Sequence, residues 1–275
     1  MTGVTSGPMR QPDRGLVIAL HCSGAGAAQW RQLGAALASG FTLRAPEHYG
    51  TPSTGPWTGE HAFNLADEAA RTIALIDDSK EETIHLVGHS YGGGVALRVA
   101  MERPDRVASL SLYEPSAFHL LANLGVDGEA ARAEIVGVMR ACAEGVVTGD
   151  LRRAAAHFVN YWNGPGAWNE LKDDVRAGLI RWLPKAVLDF RALLSEPTPL
   201  FAYRSFSFPV LVMRGEHAPN PTRLIADALW SVLTRVRAVT FAGAGHMGPL
   251  THASAVNAAI IDHIVSATAR CKQAA

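Results

Sequence analysis

The sequence predicts an α/β fold, a mostly parallel sheet with helices on both faces. Three observations carry this. Short, nearly continuous apolar runs such as Gly15-Leu-Val-Ile-Ala-Leu20 and Thr83-Ile-His-Leu-Val87 have the length and unbroken hydrophobicity of strands buried on both faces. Segments of helical period separate them, as crossovers between parallel strands require. The alternation then stops after Pro115 and resumes at Pro209, with helical sequence between.

In chain order, the run Gly15–Leu20 is closed by the small-residue cluster His21-Cys-Ser-Gly-Ala-Gly26, and a helical pattern follows from Gln29 to Ala38. Phe41–Arg44 is the second strand, leading into Ala45-Pro-Glu-His-Tyr-Gly50 and a loop rich in Pro, Gly and Thr that ends near Gly59. Asn64 to Asp77 is a helix because Leu65, Ala69, Ile73 and Ile76 recur on one face. Thr83–Val87 is a strand, Tyr91–Met101 a helix that must stop before Pro104, and Val107–Tyr113 a strand. The next strand is Pro209–Met213, and the gap of about ninety residues before it is far longer than ordinary connections in an α/β domain. Its helical stretches are Gly128–Cys142, Gly149–Tyr161, Glu170–Trp182 and Lys185–Leu194. Residues 117–204 are therefore expected to form a helical cap inserted into a core built from 1–116 and 205–275. A helix over Thr222–Leu233, a strand over Ala238–Phe241 and a closing helix over His252–Ala267 complete the pattern.

Composition narrows the function. The 25 Lys and Arg residues are balanced by 25 Asp and Glu, so no basic surplus exists to neutralise phosphates and a nucleic-acid partner is not expected. With 48% hydrophobic and 18% charged residues, against about 25% charged in an average protein, intrinsic disorder is excluded. Cys22, Cys142 and Cys271 are few, odd in number and far apart, which suits a reducing compartment. The first fifteen residues lack the apolar run of a signal peptide, and no stretch approaches the ~18 apolar residues of a membrane span. The expected location is the cytoplasm, with no membrane partner. Gly243-Ala-Gly-His-Met-Gly248, with Asp262 further on, imitates a dinucleotide fingerprint, but one more helix closes the sequence without the return strand of a βαβ unit. His85 and His89 are four apart on a strand and turn, a spacing that does not bring them to one face. Neither a cofactor nor a metal is expected.

The chemistry concentrates at Gly88-His-Ser-Tyr-Gly92, between a strand and a helix. A G-x-S-x-G turn in that position is tight, places Ser90 in strained dihedrals and leaves no room for a Cβ at either flank. It lifts the serine oxygen above the sheet, beside the free N–H groups of the helix that begins there. Ser90 is thus the candidate nucleophile.

With this motif the chain resembles the α/β-hydrolase family over nearly its whole length. In that family the order is nucleophile, acid, histidine, with the histidine in the loop after the last strand. The resemblance implies that His246, in Gly243-Ala-Gly-His-Met-Gly248, is the general base. It also implies an oxyanion hole made by the backbone N–H groups of Ser23, in His21-Cys-Ser-Gly24, and of Tyr91. Cys22 stands where the family usually has glycine, and is expected to be a small buried apolar residue. The acid is open. The family often carries it three residues after the glycine that closes the strand Val210–Met213, where this chain has Ala218. Glu114, at the end of the strand after the nucleophile helix, and Glu216 are the two candidates. The family's first two strands have no counterpart in the leading residues, which implies a six-stranded sheet. The expected function is a serine hydrolase that cleaves an ester-like bond (carboxylic ester, lactone or thioester) of a small, largely apolar substrate. The alternative is a receptor-like protein that keeps the fold and binds a ligand with little turnover, motivated by Ala218.

Overall fold

The computed structural model of the chain describes residues 15–37 and 40–274. The signal-peptide question and Ala38, the expected end of the first helix, lie outside the described residues, as does the side chain of Cys271. Among the described residues, six strands form one sheet: β1 (Gly15–Leu20), β2 (Phe41–Arg44), β3 (Ile84–His89), β4 (Val107–Tyr113), β5 (Val210–Gly215) and β6 (Val236–Phe241). Their spatial order is β2-β1-β3-β4-β5-β6, and every neighbouring pair is parallel. The α/β fold expected from the alternation is the one observed.

The unbroken hydrophobicity of the strands has a direct cause. On β1, Leu16, Ile18 and Leu20 face one layer of helices while Val17 and Ala19 face the other, and all five are buried. The first layer contains α2 (Leu65–Asp77), α3 (Tyr91–Glu102) and α8 (Asn220–Val232). The second contains α1 (Arg31–Ala36) and α9 (Ala253–Ala274), through Leu33, Val256, Ile260 and Ile264. The α2 stripe Leu65, Ala69, Ile73 and Ile76 is buried, and the helix starts at a reciprocal cap. There the Asn64 side chain accepts the N–H groups of Ala66 and Asp67, and Asp67 accepts that of Asn64.

Between β4 and β5 the chain forms α4 (Gly125–Thr148), α5 (Leu151–Asn163), the short α6 (Ala167–Glu170) and α7 (Asp173–Leu194). Here the sequence expectation needs correction: the helices expected over Glu170–Trp182 and Lys185–Leu194 are one helix, which runs through Pro184. An interior proline costs roughly 3 kcal/mol. Leu183, Ala186 and Phe190 are buried on one continuous face, and that burial outweighs the lost hydrogen bond. Helix α7 packs against α2 and α3, which sets the inserted helices over the turn that carries Ser90.

Candidate active site

The turn after β3 shows why its glycines are required. A Cβ on Gly88 would lie 2.5 Å from the Gly92 carbonyl oxygen, one on Gly92 would lie 2.3 Å from that of Leu20, and one on Gly93 would meet Pro115 Cα at 2.8 Å. Ser90 takes φ 54° and Glu114 φ 42°, the two non-glycine residues with positive φ among those described. Backbone strain of this sort costs of order 1–3 kcal/mol per residue and persists where surrounding structure enforces it.

These two strained residues meet at His246. The Ser90 hydroxyl donates to His246 Nε2 at 2.9 Å, and His246 Nδ1–H donates to Glu114 Oε2 at 2.7 Å. All three are buried. Glu114 also accepts the Gly215 N–H on Oε1 and the Thr222 hydroxyl on Oε2, each at 2.9 Å. Fixed donors thus orient both carboxylate oxygens, and the tautomer with Nδ1 protonated leaves Nε2 free to accept. Glu216, the other candidate acid, is exposed, and its Oε2 accepts the Gly243 N–H at 2.8 Å rather than reaching His246. Ser23 and Ser90 line one cavity with His246, and Tyr91 opens α3. Among the described residues, neither the Ser23 nor the Tyr91 backbone N–H has a protein acceptor. Cys22 is buried, and burial pushes its thiol up to about 12.

Several residues to which the sequence assigned no role in the site hold this arrangement. Gln29 Oε1 accepts the Cys22 N–H at 3.0 Å, Gln29 Nε2–H donates to His89 Nδ1 at 3.1 Å, and His89 Nε2–H donates to the His246 carbonyl at 2.8 Å. One hydrogen-bonded line therefore joins the loop after β1, the serine turn and the loop carrying His246. Burial pushes the His89 imidazole well below its ordinary range, which keeps it neutral with one donor and one acceptor nitrogen. The face of Trp162, from α5, stacks on the His246 ring at a centroid distance of 4.3 Å.

A second cluster joins α7 to the core. Lys185 Nζ donates to Glu68 Oε2 at 3.0 Å and to the Tyr91 hydroxyl oxygen at 3.3 Å, and pairs with Asp189 one turn on. The Tyr91 hydroxyl donates to Glu68 at 2.9 Å, and the Ser23 hydroxyl donates to Asp189 Oδ2 at 3.0 Å. Burial works against the Glu68 carboxylate, yet His48 and Lys185 hold it well below the usual range. Burial pushes the Asp189 carboxyl the other way, up to about 6, against the pull of Lys185. The signal for this cluster was charge in an apolar helical pattern: Lys185 and Asp189 four apart, and Glu68 beside the α2 stripe.

The cavity over Ser90 has a volume of about 260 Å³ and is mainly apolar, with Phe158, Trp162, Leu179, Met247 and Leu250 in its wall. Among the described residues, no Lys or Arg lines it. Among the described residues, no three His, Cys, Asp or Glu side chains converge as metal ligands, and no helix is long and apolar enough to cross a membrane.

Residues 17–259 match the model of the alpha/beta hydrolase family. The lipase LipV of Mycobacterium tuberculosis is 29% identical over 136 residues, which cover 48% of this chain and 44% of that protein. The 2-hydroxy-6-oxo-6-phenylhexa-2,4-dienoate hydrolase of Burkholderia cepacia is 32% identical over 104 residues, 36% of each chain. The chain spans less than half the length of the curated relatives it matches. Among solved structures, a thermophilic esterase from Thermogutta terrifontis superposes with a TM-score of 0.69 at 19% identity, covering 92% of this chain and 90% of that one, a likeness of fold.

Proposed function

The chain belongs to the alpha/beta hydrolase family, and on that footing we propose that it is a serine hydrolase of neutral, apolar carboxylic esters, with Ser90, His246 and Glu114 as its catalytic triad. The observation that carries this is the unbroken hydrogen-bond line from the Ser90 hydroxyl through His246 to Glu114. His246 Nε2 takes the proton as Ser90 Oγ attacks the ester carbonyl, and Glu114 stabilises the imidazolium through Nδ1–H. The N–H groups of Ser23 and Tyr91 hold the oxyanion; each such donor is worth about 10²–10³ in rate. Collapse expels the alcohol, protonated by His246, and leaves acyl-Ser90. Water then attacks the acyl group, gives its proton to His246, and releases the carboxylic acid and free Ser90.

Two other readings fit less well. Hydrolysis of a dienoate, the substrate named for the Burkholderia cepacia relative, would bring a carboxylate into a cavity whose wall, among the described residues, offers no Lys or Arg. A receptor without turnover was suggested by Ala218, but Glu114 within 2.7 Å of His246 supports turnover instead. The test is intact-mass analysis after incubation with a fluorophosphonate. One adduct on the native protein and none on Ser90→Ala is expected. Native, folded protein that takes no adduct would sink the proposal.

A further inference from the structure

The space around Ser90 is divided unequally. The 260 Å³ compartment is lined by His246, Met247 and Leu250 on one side and by helices α5 and α7 on the other, and it opens past the exposed side chains of Val175 and Leu250. A second compartment shares Ser23, Ser90, Phe158 and Trp162 with it but holds only about 20 Å³. Ser116, Phe118, Asp189, Phe190 and Leu193 close it, and His246 is not among its lining residues.

The chemistry of the triad decides which part of an ester goes where. When the tetrahedral intermediate collapses, the departing oxygen must take its proton from His246 Nε2 and so lies within hydrogen-bond reach of the imidazole. The alcohol portion is therefore on the His246 side, in the large compartment. With the oxyanion held at Ser23 and Tyr91, the acyl substituent is left with the small one. A water molecule needs on the order of 10–15 Å³ of such space, so 20 Å³ admits little beyond a methyl group. A longer acyl chain would drive methylene groups against Asp189, which is already committed to Ser23 and Lys185, and against Ser116, whose hydroxyl lies 3.2 Å from that of Ser90.

We infer that the substrates are esters of a very short acyl group, acetyl above all, with a bulky apolar alcohol, the acyl group seated between Ser90 and Asp189 and the alcohol beside Leu179 and Met247. This rests on Ser90 as nucleophile and His246 as the acid that protonates the leaving group.

Hexyl acetate and ethyl hexanoate test it on the native protein. They are isomers with the same atoms, and only the side of the ester that carries the long chain differs. Overpacking of the small compartment predicts that kcat/KM favours hexyl acetate by about a hundredfold. Equal rates within about threefold, or a reversed preference, would overturn the assignment of the compartments. Leu193→Ala, which enlarges the small compartment, is expected to lower the ratio of kcat/KM for hexyl acetate over ethyl hexanoate about tenfold, and an unchanged ratio would count against the assignment. If that variant does not fold, the isomer pair still decides. Fluorophosphonate labelling in the same samples separates the two levels of failure. Labelled Ser90 without acyl discrimination refutes the compartment inference alone, and unlabelled Ser90 refutes the nucleophile as well.

Discussion

Replacing Glu114 by glutamine probes the proposed triad at the member hardest to identify from sequence. The carboxylate receives the Gly215 N–H on Oε1 at 2.9 Å, and the Thr222 hydroxyl at 2.9 Å and His246 Nδ1–H at 2.7 Å on Oε2. An amide has one oxygen and must turn its NH₂ toward one of these places. With NH₂ against the Gly215 N–H, two donors face each other in a buried site, a cost of about 1–3 kcal/mol. With the oxygen kept at Gly215, NH₂ faces Thr222 and His246. Thr222 can satisfy itself on the Pro219 carbonyl, 3.0 Å away. His246 Nδ1 can accept from the amide only after losing its proton. Nε2 then carries that proton and cannot take the one on Ser90. A tautomer error of this kind costs about 10⁴ in turnover, or about 5 kcal/mol of transition-state stabilisation. The assay is kcat for hexyl acetate, with circular dichroism and a thermal melt to establish that the variant is folded. Glu216→Gln, which alters one exposed acceptor for the Gly243 N–H, is the control and is expected within about threefold of the native rate. Turnover by Glu114→Gln within about tenfold of native, or loss of about a thousandfold in Glu216→Gln, would refute the assignment of the acid.

Three further outcomes concern the supporting clusters. Gln29→Glu keeps the shape and the acceptor for Cys22 but removes the donor to His89 Nδ1, so His89 must change its protonation and the link to the His246 carbonyl is disturbed. Displacement of this order costs up to about a hundredfold in kcat, and steady-state kinetics with kcat unchanged within about twofold would count against the strut. Lys185→Met strands Glu68 and Asp189 without their ammonium and is expected to lower the unfolding free energy by about 3–5 kcal/mol in urea titrations; a loss below about 1 kcal/mol would contradict it. In the same cluster Asp189 faces Lys185 on its own helix, Glu68 on α2, Tyr91 on α3 and the Ser23 hydroxyl, and burial pushes it up to about 6. A raised folded-state value means that the folded protein binds more protons than the unfolded chain. Its contribution is therefore full below the unfolded value, near 4, and is lost as pH rises through about 6. Relative to Asp189→Asn, the native protein should lose stability across that window, and a flat or rising difference would show that the carboxyl is not raised.

Much of the site could be read in the chain because local physics writes it there. The glycines of Gly88-His-Ser-Tyr-Gly92 answer to contacts within the turn and with β1 directly beneath it, so a strand, a helix and two glycines suffice to locate Ser90. His246 could be placed because the chain resembles the α/β-hydrolase family, whose histidine lies in the loop after the last strand, here the loop that follows β6. The single helix α7 could not, because Pro184 reads as a break until the apolar face on both of its sides is seen to be buried.

The sequence by itself therefore determined the α/β class, the sheet with both faces covered and the serine turn, which follow from periodicity and from steric needs among near neighbours, while the histidine loop followed from resemblance to the family. Only the tertiary structure decided which glutamate faces His246. Glu114 is 132 residues from the histidine in sequence, and its direction comes from a positive φ and from donors on β5 and α8. The Gln29–His89 link spans 60 residues and the Ser23–Asp189 link 166. Such contacts carry no periodic signal, because each is one polar pair fixed by how whole elements pack. The unequal division of the space beside Ser90 belongs with them, since it is a volume left between helices and no residue encodes it alone.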